Sequence, residues 1–196
     1  MTRAGRGDDR RADIVAAARR VFRRDGLAGA TLDAVAVEAG IPRPHLYRYV
    51  RGKAELVAAV VALETKTVNE RRRRALRGID DVGDRIVRAL ELAVEIVNSD
   101  ELLTAMASTG NVPYTAYAAA EDPAVLASNE RFWTPLLDEA AALGRLRPDL
   151  VRDDVLRWLL GVQFLFFERS EIFPPDEVAR FARQFVLPGL LLDDVP

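Results

Sequence analysis

Between Arg43 and Lys53 the chain gathers cationic and phenolic side chains: Arg43, His45, Tyr47, Arg48, Tyr49 and Lys53, with Pro44 among them. Guanidinium, ammonium and phenol groups donate hydrogen bonds to oxyanions, and a guanidinium fork can hold two acceptors at once. Residues 1–55 hold 12 Lys/Arg against 7 Asp/Glu, a net of +5, whereas all 196 residues net −2, so the remaining 141 carry −7. A basic front on an acidic body directs only the front toward a polyanion, because positive charge supplies most non-specific affinity for nucleic acid. Ordinary scatter of charge over solvated helix faces gives the same totals.

Other chemistries lack their residues. The chain has no cysteine, which excludes disulfides, thiolate metal sites and cysteine nucleophiles. His45 is the single histidine, so a zinc or other multi-histidine metal site is not expected. With no Gly-rich phosphate loop and no acid beside His45, neither catalysis nor a cofactor is expected. The acidic pairs Glu121-Asp122 and Asp153-Asp154 stand where helices start and carboxylates complement the helix dipole. No apolar run approaches the ~20 residues that cross a bilayer. Met1 to Asp9 carry charge without an apolar segment, so a cytoplasmic protein without a membrane partner is expected.

The elements that must position the cluster read as helices throughout, an all-α fold, since strand alternation is absent and Ala, Leu, Arg and Glu abound. Ile14, Ala17, Ala18, Val21 and Phe22 form one apolar stripe on a first helix from about Asp13 to Asp25, ended by Gly26. Residues 1–9 read as a flexible arm. Thr31 stands where its hydroxyl caps a second helix that buries Leu32, Val35, Ala36 and Ala39. Gly40 supplies the tight turn, and a third helix of roughly two turns starts near Pro42 and closes at Arg51-Gly52. Three short helices with a glycine turn between the second and third form a helix-turn-helix pattern, whose second helix can lie in a major groove.

Residues 10–55 are thus read as a DNA-binding unit and 56–196 as a helical body. A long fourth helix carries Leu56, Val60, Leu63 and Thr67 on one side. The run Glu70-Arg71-Arg72-Arg73-Arg74 near its end reads as a solvated face. Asp80-Asp81 start a fifth helix with Ile86, Leu90, Ala93, Val94 and Val97 inward. Ser108 to Pro113 breaks the periodicity, and another helix runs from Pro123 to Leu143. The stretch Val155 to Phe167 has almost no polar face, so one side meets the core and the other a second chain. A last helix, Pro175 to Leu187, offers Val178, Phe181, Ala182, Phe185 and Val186 to the same interface, so an oligomer is expected.

A further pattern runs through residues 12 to 57: Ile14-x-x-Ala17-Ala18, Phe22, Gly26, Thr31-Leu32, Val35-Ala36, Ala39-Gly40-Ile41, Leu46-Tyr47-x-Tyr49 and Gly52-Lys53-x-Glu55-Leu56. It resembles the tetracycline-repressor-like (TetR) family of bacterial transcription regulators. Pro42 departs from the family's usual Ser or Thr, removing a hydroxyl, and Val50 from its usual Phe. The resemblance implies phosphate contacts from Thr31, Lys53, Tyr47 and Tyr49, and base-edge contacts from Arg43, His45 and Arg48, with Pro44 beside them. It also implies a ligand-responsive regulator, usually a repressor, that forms a homodimer through the last two helices, binds a near-palindromic double-stranded DNA operator and is released by a small effector. A helical protein-interaction scaffold is the alternative.

A ligand pocket needs apolar and aromatic walls with a few polar groups, and the body's candidates are Met106, Asn111, Tyr114, Tyr117, Phe132, Trp133, Leu136, Trp158, Gln163 and Phe167. Gln163 is a polar amide in the most apolar helix and must find a partner, across a dimer or on a ligand. An apolar effector of modest size is expected.

Overall fold

The computed structural model describes residues 3–107, 122–169 and 172–192. Its helices are α1 (Arg3–Gly29), α2 (Leu32–Glu38), α3 (Arg43–Leu46), α4 (Lys53–Ala75), α5 (Val82–Asn98), α6 (Glu101–Ala107), α7 (Pro123–Ala142) and α8 (Arg152–Glu168). A 3₁₀ turn (Pro175–Glu177), α9 (Val178–Phe181), a π-helical turn (Ala182–Val186) and α10 (Leu187–Leu190) follow. Among the described residues there is no strand, only an isolated bridge between Leu146 and Leu191. No described helix is long and apolar enough to cross a membrane.

Two apolar clusters organise these helices. In the head, the α1 stripe of Ile14, Ala18, Val21 and Phe22 packs against Val35 and Ala36 of α2, Leu46 of α3, Val50, and Leu56 and Val60 of α4. In the body, α5 is the central helix: Ile86, Leu90, Val94 and Val97 meet Trp133 and Leu137 of α7, Leu159 and Phe166 of α8, and Val178 and Val186 of the C-terminal segment. Helix α4 belongs to both, with Val68 in the body cluster, so one rigid rod runs from the head into the body.

The structure departs from the expected boundaries in three places. Helix α1 continues the Asp13–Asp25 stripe in both directions: Arg3 to Asp9, read as an arm, extend it upstream. Downstream, Gly26 breaks the helical path at φ 70, ψ 164, a conformation open to glycine, and turns Leu27 into the head core. Helix α3 is a single turn instead of two. Beyond Leu46 the amides of Arg48 and Tyr49 bond the carbonyls of His45 and Leu46 at 3.2 and 2.9 Å, a tighter i−3 winding that ends the helix. The last helix is interrupted by its π turn, whose extra residue shifts the register. Val186 and Leu190 stay buried while Phe185, expected in the apolar stripe, is 66% exposed.

Candidate nucleic-acid interface and body cavity

Leu46, fully buried among the head helices, fastens the short α3 turn to the core. Around it Arg43, Pro44, His45, Tyr47 and Arg48 are exposed, and Tyr49 is half-buried against the same core. Arg43 bridges α2 and α3: its Nε lies 3.0 Å from Asp33 Oδ1, its Nη1 donates to Asp33 Oδ2 at 3.1 Å, and its Nη2 donates to Tyr47 Oη at 3.3 Å. The hydrogen bond to Tyr47 and the charge of Asp33 hold the guanidinium above its usual range. The Thr31 hydroxyl accepts from Ala34 N at 3.1 Å and caps α2. Lys53 Nζ donates to Ala28 O at 3.2 Å, tying the start of α4 to the segment after the Gly26 kink.

Much of the head's positive charge is already paired. Arg20 meets Glu38 at 2.6 Å, Arg24 meets Asp25 at 2.8 Å and Arg11 meets Glu55 at 3.1 Å. Arg48 has no carboxylate partner among the described residues. Exposed ion pairs hold their partners weakly, so such a surface can trade internal carboxylates for phosphate at small cost.

Head and body are joined by an ion cluster around one buried carboxylate, which the charge count does not reveal. Glu64 of α4, 3% exposed, accepts from Arg19 Nε at 2.7 Å, Arg19 Nη2 at 3.0 Å and Arg23 Nη2 at 3.0 Å, both arginines standing on α1. Arg23 Nη1 also donates to Asp100 Oδ2 at 2.8 Å. The other oxygen of Asp100 accepts from Leu102 N and Leu103 N at 3.0 and 3.2 Å, capping α6. Burial works to raise the Asp100 carboxyl, but Arg23 and these amides outweigh it and hold the group below its usual range.

Glu64 also lines a cavity of about 130 Å³ between α4, α5, α6, α7 and α8. Of the residues expected in a pocket, Met106, Gln163 and Phe167 line it. Phe132, Trp133 and Leu136 do not; they are buried in the body core, with the Phe132 and Trp133 rings edge-on at 5.0 Å. Trp158 is on the outer face of α8, 42% exposed, in a shallow hollow with Gly161 and Leu165. Asn111, Tyr114 and Tyr117 lie outside the described residues, as does the expected break from Ser108 to Pro113.

The residue that sequence reasoning missed is Arg72. Expected on a solvated face, it is wholly buried at the cavity wall. Its Nε donates to Ala89 O at 3.0 Å, Nη1 to Asn69 Oδ1 at 2.8 Å and Nη2 to Gln163 Oε1 at 3.0 Å. Its guanidinium carbon lies 3.9 Å from the Phe132 ring centroid and 5.0 Å from that of Trp133. Burial pushes the guanidinium down to about 9, which leaves it a cation at neutral pH. The one sequence signal was Gln163, an amide that needed a partner; its partner is this arginine.

A helix-turn-helix head thus stands on an all-helical body that holds a cavity. Residues 14–60 match the profile described as bacterial regulatory proteins, tetR family. That match covers the head, from α1 through the start of α4, and leaves the body outside it. It is 32% identical over 93 residues to the HTH-type transcriptional activator FasR of Mycolicibacterium smegmatis; the match covers 47% of this chain and 42% of that regulator, so it spans less than half of the relative's length. The crystal structure of RolR with resorcinol superposes with TM-score 0.73 at 17% identity, covering 96% of this chain and 90% of that one. A TetR-family regulator from Pectobacterium atrosepticum gives 0.71 at 20% identity, covering 98% and 99%. At these identities the two structures establish the fold.

Proposed function

We propose that this protein is a ligand-responsive transcriptional repressor that binds a near-palindromic operator as a homodimer and leaves it when a small, mostly apolar effector enters the body cavity. The observation that carries this reading is the common exposed face of Arg43, His45, Tyr47 and Arg48 on a turn that Leu46 fastens to the head. Arg43, His45 and Arg48 reach base edges, an Arg fork on guanine O6 and N7 being the commonest specific contact. Pro44 sits beside them against the duplex. Thr31, Tyr47, Tyr49 and Lys53 serve phosphates, and the Thr31 hydroxyl, which accepts from Ala34, keeps its own proton to donate.

The homodimer forms on the outer face of α8 and the C-terminal segment, where Trp158, Leu165 and Phe185 are 42%, 43% and 66% exposed. A Cβ at Gly161 would meet nothing within 4 Å, so two α8 helices can approach closely there. Sedimentation of a Leu165→Glu variant as a monomer supports this contact; an unchanged dimer contradicts it. Release follows from Glu64, which faces the cavity and holds α1 through Arg19 and Arg23: an occupant that shifts Glu64 shifts the head.

A mobility-shift titration with fragments of the source genome tests the reading. Submicromolar, salt-sensitive and sequence-preferring binding supports it; binding without preference supports the scaffold instead. A promoter–reporter assay decides the sign, since the similar mycobacterial protein is named an activator.

A further inference from the structure

Taking the body cavity as the effector site, as above, we propose that the effector is a small organic acid of about single-ring size whose carboxylate docks on Arg72. The volume of about 130 Å³ lies close to the ~150 Å³ of an engineered cavity that accepts benzene. Val68, Val97, Leu103, Met106 and Phe167 give an apolar seat for a ring or short chain. At the polar end stands a cation with, among the described residues, no carboxylate partner; the Gln163 oxygen caps its Nη2, and an entering carboxylate takes that oxygen's place.

A guanidinium has five N–H groups, and those of Arg72 go only to neutral oxygens and aromatic faces. A buried charge without a counter-charge is costly, and an entering anion offsets that cost while gaining short charge-assisted hydrogen bonds. The neighbours are already committed. Asn69 Nδ2 donates to Ser128 O at 3.2 Å and to Asn129 Oδ1 at 3.2 Å, which fixes the amide with its oxygen toward Arg72. Glu64, the other charged group at the wall, is neutralised by two arginines of α1 and leaves Arg72 to set the sign of the occupant. The polar end therefore selects an acid over its amide and over an amine.

Calorimetric titration of the full chain, without DNA, with benzoate beside benzamide and phenylacetate beside phenylacetamide tests this. One of the acids is expected to bind at least about tenfold tighter than its amide. Gln163→Glu sets a carboxylate against Arg72 in nearly the same shape and is expected to weaken acid binding by at least about tenfold while preserving the fold. Equal affinities for acid and amide, no binding of either acid, or a Gln163→Glu variant that keeps full acid affinity overturns the proposal. Parallel mobility-shift assays separate the two levels: an acid that binds with this preference and leaves DNA affinity unchanged upholds the acid site and removes the effector reading. Release of DNA by the amide alone does the reverse.

Discussion

In the head, Arg43 lies on the surface shared between Asp33 and Tyr47, whereas in the body Arg72 is wholly buried and meets only neutral oxygens and aromatic faces. The same side chain does different work in the two settings. Arg43 is held loosely by partners that water already screens, so it can exchange them for a base edge or a phosphate. Arg72 has no solvent to turn to, and its charge is a fixed demand that the cavity makes on whatever enters. Glu64 lies between the two settings, buried like Arg72 but paired like Arg43, and it is where the cavity touches the head.

Variants can break or sharpen this contrast, beginning with the largest effect. Leu46→Ala removes the side chain that fastens the reading turn and is expected to cost about 2–5 kcal/mol of head stability in thermal unfolding. Calorimetric ligand binding by the body should persist below the transition. A variant that melts like the parent would show that α3 is not anchored through the head core.

Glu64→Gln keeps the shape at the junction and removes its charge, with an expected loss of about 1–3 kcal/mol, since hydrogen bonds to a charged group weaken to neutral ones. Its distinguishing mark is coupling: effector binding should change DNA affinity less than in the parent, and an unchanged ratio would place the route between cavity and head elsewhere. Thr31→Ala, which removes the α2 cap, is expected to cost about 1 kcal/mol in denaturant unfolding. A loss indistinguishable from zero would mean that water satisfies the Ala34 amide equally well.

The smallest effect is one of pH. The Asp100 carboxyl is held below its usual range in the folded chain, so its contribution is complete above the ordinary value of 3.8 and is lost as pH falls through the lower folded value. From neutrality to about pH 5 the Arg23–Asp100 link should therefore hold, and a Tm that falls with acid only below that range should flatten in Asp100→Asn.

The head was legible in the sequence because its structure is local. The Ile14 to Phe22 stripe, the Thr31 cap, the Gly40 turn and the buried Leu46 lie within a few turns of one another, where spacing alone states which face is inward. Arg72 was not legible, because what buries it comes from far along the chain: Phe132 and Trp133 from α7, and Gln163, 91 residues on. An arginine run at the end of a long helix reads as solvated until those partners arrive. The body aromatics failed as pocket markers for a related reason. Phe132, Trp133 and Trp158 are alike in type, and only the packing of α7 and α8 sends the first two into the core and the third outward.

The central claim, that the exposed face of residues 42–50 reads a duplex, is tested most directly by titrating the parent, Arg43→Ala and Lys53→Ala against a selected genomic site and a random duplex over a range of salt. Arg43→Ala is expected to lose about 1–3 kcal/mol on the selected site alone, and Lys53→Ala to weaken both duplexes and flatten the salt slope by about one. Equal, sequence-independent losses for the two variants, or a parent that does not distinguish the duplexes, would contradict that claim.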